Sequence, residues 1–367
     1  MTHTLAAPTL LLESSNTDSY ELDPTRLLRA KRAYTTRFLD AALRVDPTGY
    51  RLISGSLRPA PGDIVLARVV EIGQHQRLES PTRRRQHLHV GDEILVAYGH
   101  RYAPDQFEAT VPEDLGPVHL VAAGGVAARV VTQHARMDPA TVLEPLGFLA
   151  HSRGIANLTH FAQYNAGTPA AYVDRDVPTI AVLGSSMNAG KSTTLASFVH
   201  GLTLAGLRVA AGKVTGTGAG GDPAMFTDAG AIEVVDFTDF GVASTFRMEF
   251  GYLRELATAI RAHLLAQAPD VVVLEIADGV FQDETSRLLH DAEFTSGIDR
   301  VLFATADALG ASAGVPMLRT VGLDVAAVSG CLTSSPLATR EARAALDVSV
   351  IDTFDLATPH VATRLLR

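Results

Sequence analysis

From residue 178 to the C-terminus, short apolar runs alternate with longer segments of helical spacing. The runs at 179–183, 208–212, 232–235, 271–275, 301–304, 324–328 and 348–351 are bounded by polar or glycine-containing turns, and each predicts a strand. Between them, "LASFVHGLTLAG", "EFGYLRELATAIRAHLLAQ" and "GVPMLRTVG" predict helices. In the second, Phe250, Leu253, Leu256, Ile260 and Leu264 fall on one face. Buried strands alternating with helices imply an α/β unit over 177–367, a doubly wound and mainly parallel sheet with helices on both faces.

The first half of the chain has another texture. Residues 1–48 are expected to be a helical segment. In "DPTRLLRAKRAYTTRFLDAALRV" (23–45), Asp23 is a suitable N-cap and Pro24 suits the first turn. Leu27, Ala30, Tyr34, Phe38, Ala41 and Val45 make one apolar stripe, which predicts a single helix. Residues 49–135 carry "GDIVLARVVEIG", "HVGDEILVAYG" and "VHLVAAGGVAARVV", short Val- and Ile-rich runs separated by Gly-Asp and similar turns. They predict a small, mostly β, barrel-like module. Arg83, Arg84 and Arg85 lie between two of its strands, and without interleaved aromatics they suit a solvated hairpin loop better than a nucleic-acid grip. Residues 136–176 are expected to be a connector.

Composition narrows the class. With 367 residues, 47% of them hydrophobic and 19% charged, the chain can bury more than one core. A net charge of −9 argues against nonspecific nucleic-acid binding. The single cysteine, Cys331, excludes an internal disulfide and fits a reducing compartment. The first twenty residues have no basic start and only a short apolar run, so neither a secretory signal nor a membrane span is expected there, and a cytoplasmic protein follows.

The chemistry centres on "LGSSMNAGKSTT", 183–194. Its predicted strand ends at Gly184 and its predicted helix starts near Gly190. That is the setting in which backbone N–H groups and a helix N-terminus hold phosphate. The usual phosphate-loop pattern has four residues between the first glycine and Gly-Lys-Ser/Thr, and here there are five. Gly184, Asn188, Ala189, Gly190, Lys191, Ser192 and Thr193 are the expected nucleotide-facing residues. Lys191 suits the β- and γ-phosphates, and the Ser192 hydroxyl suits Mg²⁺. Two other strands end in charge where α/β sheets bind ligands: "LRVAAGK" in Lys213 and "PDVVVLE" in Glu275. Asp222, Asp228, Asp236 and Asp239 are available to complete a metal shell.

The five-residue loop, "GKVTGTG" after the second strand, the glutamate-ended strand and "VLFATADALGASAGVPMLRTVGLDVAAVSGCLTSS" together resemble dethiobiotin synthetase. That family belongs to the branch of P-loop NTPases that holds the Min/Par ATPases and cobyrinate-type amidoligases. The resemblance covers about 178–355. It implies ATP and Mg²⁺ as cofactors, Lys191 and Lys213 as catalytic, phosphate-facing lysines, and Ser192, Asp228 and Glu275 as metal ligands, with Asp222 in reserve. Cys331–Ser335 would lie near the base. The activity it implies is γ-phosphate transfer to a carboxylate or carbamate of a small-molecule substrate, by a ligase or kinase, with a homodimer compatible. The alternative reading is a nucleotide-dependent switch or ATPase whose β module binds a protein or nucleic-acid partner.

Overall fold

The computed structural model describes residues 17–167 and 176–367. The first twenty residues, apart from 17–20, and part of the expected connector lie outside them. The elements of the first half are β1 (Thr17–Glu21), α1 (Pro24–Arg29), β2 (Lys31–Arg32), α2 (Arg37–Val45), β3 (Arg51–Gly55), β4 (Ile64–Glu71), β5 (Arg77–Glu79), β6 (Arg85–His87), β7 (Glu93–Tyr98), β8 (Arg101–Tyr102), β9 (Phe107–Thr110), β10 (Val118–Ala122), β11 (Val126–Gln133), β12 (Thr141–His151) and β13 (Gly154–Ile155). In this sheet β12 pairs with β4, β4 with β7, β7 with β11, β11 with β10, and β10 again with β12. The ladder thus returns to its starting strand. Val65, Ala67, Val96, Tyr98, Leu120, Ala127 and Phe148 form one buried cluster of this half. Arg83, Arg84 and Arg85 are exposed at the end of the β5–β6 hairpin.

Two expectations for this half need correction. The single helix over 23–45 is broken. Asp23 caps α1 as expected, its side chain accepting from the Thr25 N–H. The chain then leaves helical geometry so that Lys31–Arg32 can pair with Ile94–Leu95 of β7, and the Tyr34 N–H donates to the Glu79 carbonyl at 2.8 Å. Ladder bonds to a neighbouring sheet override helical propensity, which is only a weak preference. The break resets the phase. Leu39 and Leu43 are buried in α2, while Ala41 and Val45 of the expected stripe are exposed. Secondly, the expected connector contains β12, at 11 residues the longest strand of the sheet. Pro145 and Gly147 hide it in the sequence, and the register against β4 shifts between them.

The second half contains β14 (Thr179–Gly184), α3 (Lys191–Leu204), β15 (Val209–Lys213), α4 (Gly221–Asp228), β16 (Glu233–Asp236), α5 (Phe250–Ala266), β17 (Val271–Glu275), α6 (Asp283–Leu289), α7 (Ala292–Thr295), β18 (Arg300–Ala304), α8 (Ala308–Thr320), β19 (Val325–Ser329), α9 (Pro336–Ala345), β20 (Ser349–Val350) and α10 (Pro359–Arg364). The seven predicted strands form one parallel sheet in the order β16-β15-β17-β14-β18-β19-β20. Core clusters lie on both faces. One packs Leu253, Leu256 and Ile260 of α5 against Leu274 and Phe303. The other packs Leu195, Phe198 and Leu202 of α3 against Val182, Val273 and Leu302. Strand order reverses about β14 and β17, so a crevice opens beyond their C-terminal ends. Among the described residues no helix is long and apolar enough to cross a membrane.

Candidate functional site

The residues of 184–193 meet at that crevice. β14 is buried throughout and ends at Gly184. A side chain at Gly184 would place its Cβ 2.8 Å from Lys191 Cγ, so glycine there leaves the lysine its path. Gly190 caps α3 at φ 97°, and a Cβ on it would meet the backbone of Gly330 and Cys331 at 3.0 Å. Both the left-handed backbone and the close approach require glycine. Asn188 has φ 61°, and Ala189 is buried beneath the turn. Lys191 is 6% exposed and donates to the Ser186 carbonyl at 2.9 Å. Burial holds its pKa below the usual lysine value, although Glu275 and Asp278 act the other way. Ser192 is partly buried and Thr193 exposed on the first turn of α3.

The crevice is about 360 Å³, and Lys191, Ser192, Lys213, Asp222, Glu275 and Asp278 are among its lining residues. Lys213 donates to both Asp222 and Glu275, the latter at 2.9 Å. Burial alone would lower its pKa. The carboxylates of Glu275 and Asp222 outweigh that and hold it well above the usual value. Asp222 shows the converse balance: burial raises its pKa, but Lys213 and the Ser192 hydroxyl win and keep it low. Burial raises Asp278, against the pull of Lys191, Lys213 and Arg101. Lys213 thus sits between two carboxylates at the crevice that also holds Lys191.

The metal set also changes. Asp228 is exposed at the far end of α4, whereas Asp222 sits in its first turn, at the cluster. Six residues of helix separate them by about 9 Å, so Asp222, the reserve, and not Asp228 lies at the cluster. Asp236 is buried elsewhere, bonded to Thr238 at the start of the turn that Arg37 and Asp239 close. Glu275 is 1% exposed, and its Oε2 is buried without a hydrogen-bond partner. An orphaned carboxylate oxygen in a crevice also lined by the Ser192 hydroxyl fits a hard cation. No cluster of three or more His, Cys, Asp or Glu side chains suited to a metal occurs among the described residues. Any ion here would take hydroxyl, phosphate and water oxygens as well.

Residues of the first half that sequence reasoning missed lie against segments around the crevice. The Asn188 side chain donates to Asp105 Oδ2 at 2.6 Å. The Gly220 N–H, just before α4, donates to Glu79 Oε2 at 2.8 Å. Arg101 is buried on β8. Burial weakens its charge, opposed by Asp278 and Asp105, and its Nε has no partner. These three sit in unremarkable local patterns, and only the tertiary fold brings Asp105 to the loop, Glu79 to Gly220 and Arg101 near Asp278. On the other side, the Cys331 N–H donates to the Ala189 carbonyl at 3.0 Å and its Sγ lies 3.1 Å from the Asn188 carbonyl. Cys331 thus backs the phosphate loop itself.

No family profile matches the chain, and no curated protein matches it. Solved structures do. The signal recognition particle receptor FtsY from Elizabethkingia anophelis matches at 16% identity and TM-score 0.36, over 54% of this chain and 68% of that one. FtsY from Mycoplasma mycoides matches at 11% identity and TM-score 0.33, over 54% and 72%. The signal recognition particle 54 kDa protein from Aeropyrum pernix, in complex with GDP, matches at 16% and 0.35, over 54% and 48%. The expected ATP-dependent ligase or phosphotransferase is not what these matches are: they are two signal recognition particle receptors and a signal recognition particle 54 kDa protein. The dethiobiotin synthetase branch gains no support from them either. What the fold of this chain itself provides is the glycine-bounded turn from parallel β14 to the N-terminus of α3.

Proposed function

We propose that the protein is a nucleotide-dependent switch, a P-loop protein in which the first half responds to what the phosphate loop holds. Residues 184–193 take the phosphates of a nucleotide, with Lys191 as the cation facing them. Mg²⁺ suits Ser192 and Glu275, with Asp222 beside them, and would supply charge neutralisation at the phosphate oxygens. Lys213 sets the charge of that cluster, and a cation entering it competes with the ammonium for the two carboxylates. The contact from Asn188 to Asp105 carries the reading, because a loop side chain is held by the opposite half of the chain. Glu79 likewise holds Gly220, just before α4, from the first half. A change in the loop therefore reaches the β8–β9 hairpin through one hydrogen bond.

The test has two parts. Fluorescent ATP and GTP analogues are titrated with and without Mg²⁺. Saturable, Mg²⁺-strengthened binding that drops at least tenfold in Lys191→Ala is expected; equal binding by the variant removes the phosphate-loop assignment. Deuterium uptake across residues 101–110 is then compared in the nucleotide-free, diphosphate and triphosphate forms. Uptake that is the same in all three rules out a switch.

A further inference from the structure

Where the two halves meet, away from the phosphate loop, lies a cavity of about 290 Å³. One wall is Gly99–His100, just after β7, with Asn157; the other is 241–249, the segment leading into α5. Phe246, Met248 and Tyr252 give it an apolar body. Junctions of this kind, with few polar groups on an apolar lining, are where small ligands bind, and the volume sits at the low end for such sites.

Its charged and titratable groups are few. Arg247 lies at the mouth, its guanidinium 5.5 Å from the centre of the Phe246 ring. Its neighbouring carboxylate, Glu108, is 3.8 Å away, beyond hydrogen-bond reach. His100 Nδ1 accepts the Val111 N–H at 3.2 Å, which places the proton of the neutral ring on Nε2 as a donor. Burial first, and then Arg247, keep that ring neutral by lowering its pKa. Glu249 is the one carboxylate among the lining residues, and its two oxygens accept the Gly251 and Tyr252 N–H groups, each at 2.9 Å. A guanidinium held only by the long, half-exposed ion pair to Glu108 and a neutral N–H donor therefore line an otherwise apolar chamber.

We propose that this cavity binds a small carboxylate with an aryl or branched aliphatic body, its anionic end at Arg247 and His100 and its apolar part against Phe246, Met248 and Tyr252. Occupancy is felt by the loop after Lys213, because the cavity wall and that loop are laced together. The Gly216 N–H donates to Thr245 Oγ1 at 2.9 Å, the Thr245 N–H to the Gly216 carbonyl at 3.0 Å, and the Gly218 N–H to the Ala243 carbonyl at 2.8 Å. None of this depends on the nucleotide reading.

Calorimetric titration of the nucleotide-free, full-length protein with phenylacetate, indole-3-acetate and isovalerate, each beside its primary amide, tests the proposal. At least one acid binds saturably and roughly tenfold tighter than its amide, as a charge-assisted contact requires. Arg247→Gln brings the acid down to the level of the amide, while Arg247→Lys keeps part of the preference. Deuterium uptake over 213–220 falls when the acid is bound. No saturable binding by any probe, equal binding of acid and amide, or a preference that survives Arg247→Gln would each overturn the site. Unchanged uptake over 213–220 would overturn the link to the loop.

Discussion

Two lysines in one crevice carry opposite electrostatic histories. Lys191 is depressed by burial and Lys213 is held up by its carboxylates, so proximity in space does not make them equivalent. The difference turns on neighbours 62 residues apart, Lys213 and Glu275. The charge at each strand end was legible in the sequence; their mutual pairing was not, since it depends on β15 and β17 being adjacent. The same holds for Asp222 against Asp228, where only the helix start decides which carboxylate faces inward. A buried histidine offers a sharper test at this scale. Burial and then Arg101 lower His75 from 6.5 to about 4, and its Nδ1 has no partner. A folded pKa below the unfolded one means that the unfolded chain takes up the proton first. The stability His75 contributes is therefore present above pH 6.5 and is lost as the pH falls toward 4. Asp236, raised to about 6 by burial and then Asp239, works in the opposite direction over an overlapping range. The wild-type curve alone would blur the two. The difference between wild type and His75→Leu, from urea unfolding at several pH values, should shrink by about 3 kcal/mol between pH 7 and pH 4. A difference independent of pH would show that His75 titrates alike in both states.

At the scale of elements, the second half was readable almost strand by strand, because its central strands are short buried runs and each long helix carries its own stripe. The first half was less so. Its helix is interrupted by a strand of two residues, and its longest strand hides a proline and a glycine. In both places a pairing partner distant in sequence overrides the local pattern. One turn joins these two halves and can be tested directly. Gly241 ends a 3₁₀ turn at φ 78°, and a Cβ there would lie 2.7 Å from the Thr159 backbone. Gly241→Ala combines a strained φ with a collision against main chain that has no flexible side chain to yield. It should cost more than about 2 kcal/mol, measured by denaturant unfolding. A loss under about 0.5 kcal/mol would mean that the 158–160 segment moves aside freely.

For the whole molecule the question is whether the halves unfold together. Ala243, from the second half, lies in a core cluster built otherwise from residues 22–158. Arg37 of α2 reaches Asp239 at 2.6 Å, and the Glu79 and Asp105 contacts add to this seam. Separating the halves would give up these contacts, each worth on the order of 1 kcal/mol net, and would uncover the apolar surface shared around Ala243. The described protein should therefore melt in a single calorimetric transition, with van't Hoff and calorimetric enthalpies in agreement. Two resolved transitions, the later one alone shifted by nucleotide, would mean that the seam contributes little and the halves are thermodynamically separate.

Cys331 has a practical bearing. It is the only thiol in the sequence, it is exposed, and its backbone and Sγ both touch the phosphate loop. A maleimide fluorophore would consequently attach at one known position, without mutagenesis, beside Asn188 and Ala189. The protein comes with its own spectroscopic handle: labelling rates and emission at Cys331 report on the loop in solution. Nucleotide in the crevice should slow the labelling, and unchanged kinetics would indicate that the loop and Cys331 stay as they are when nucleotide is added.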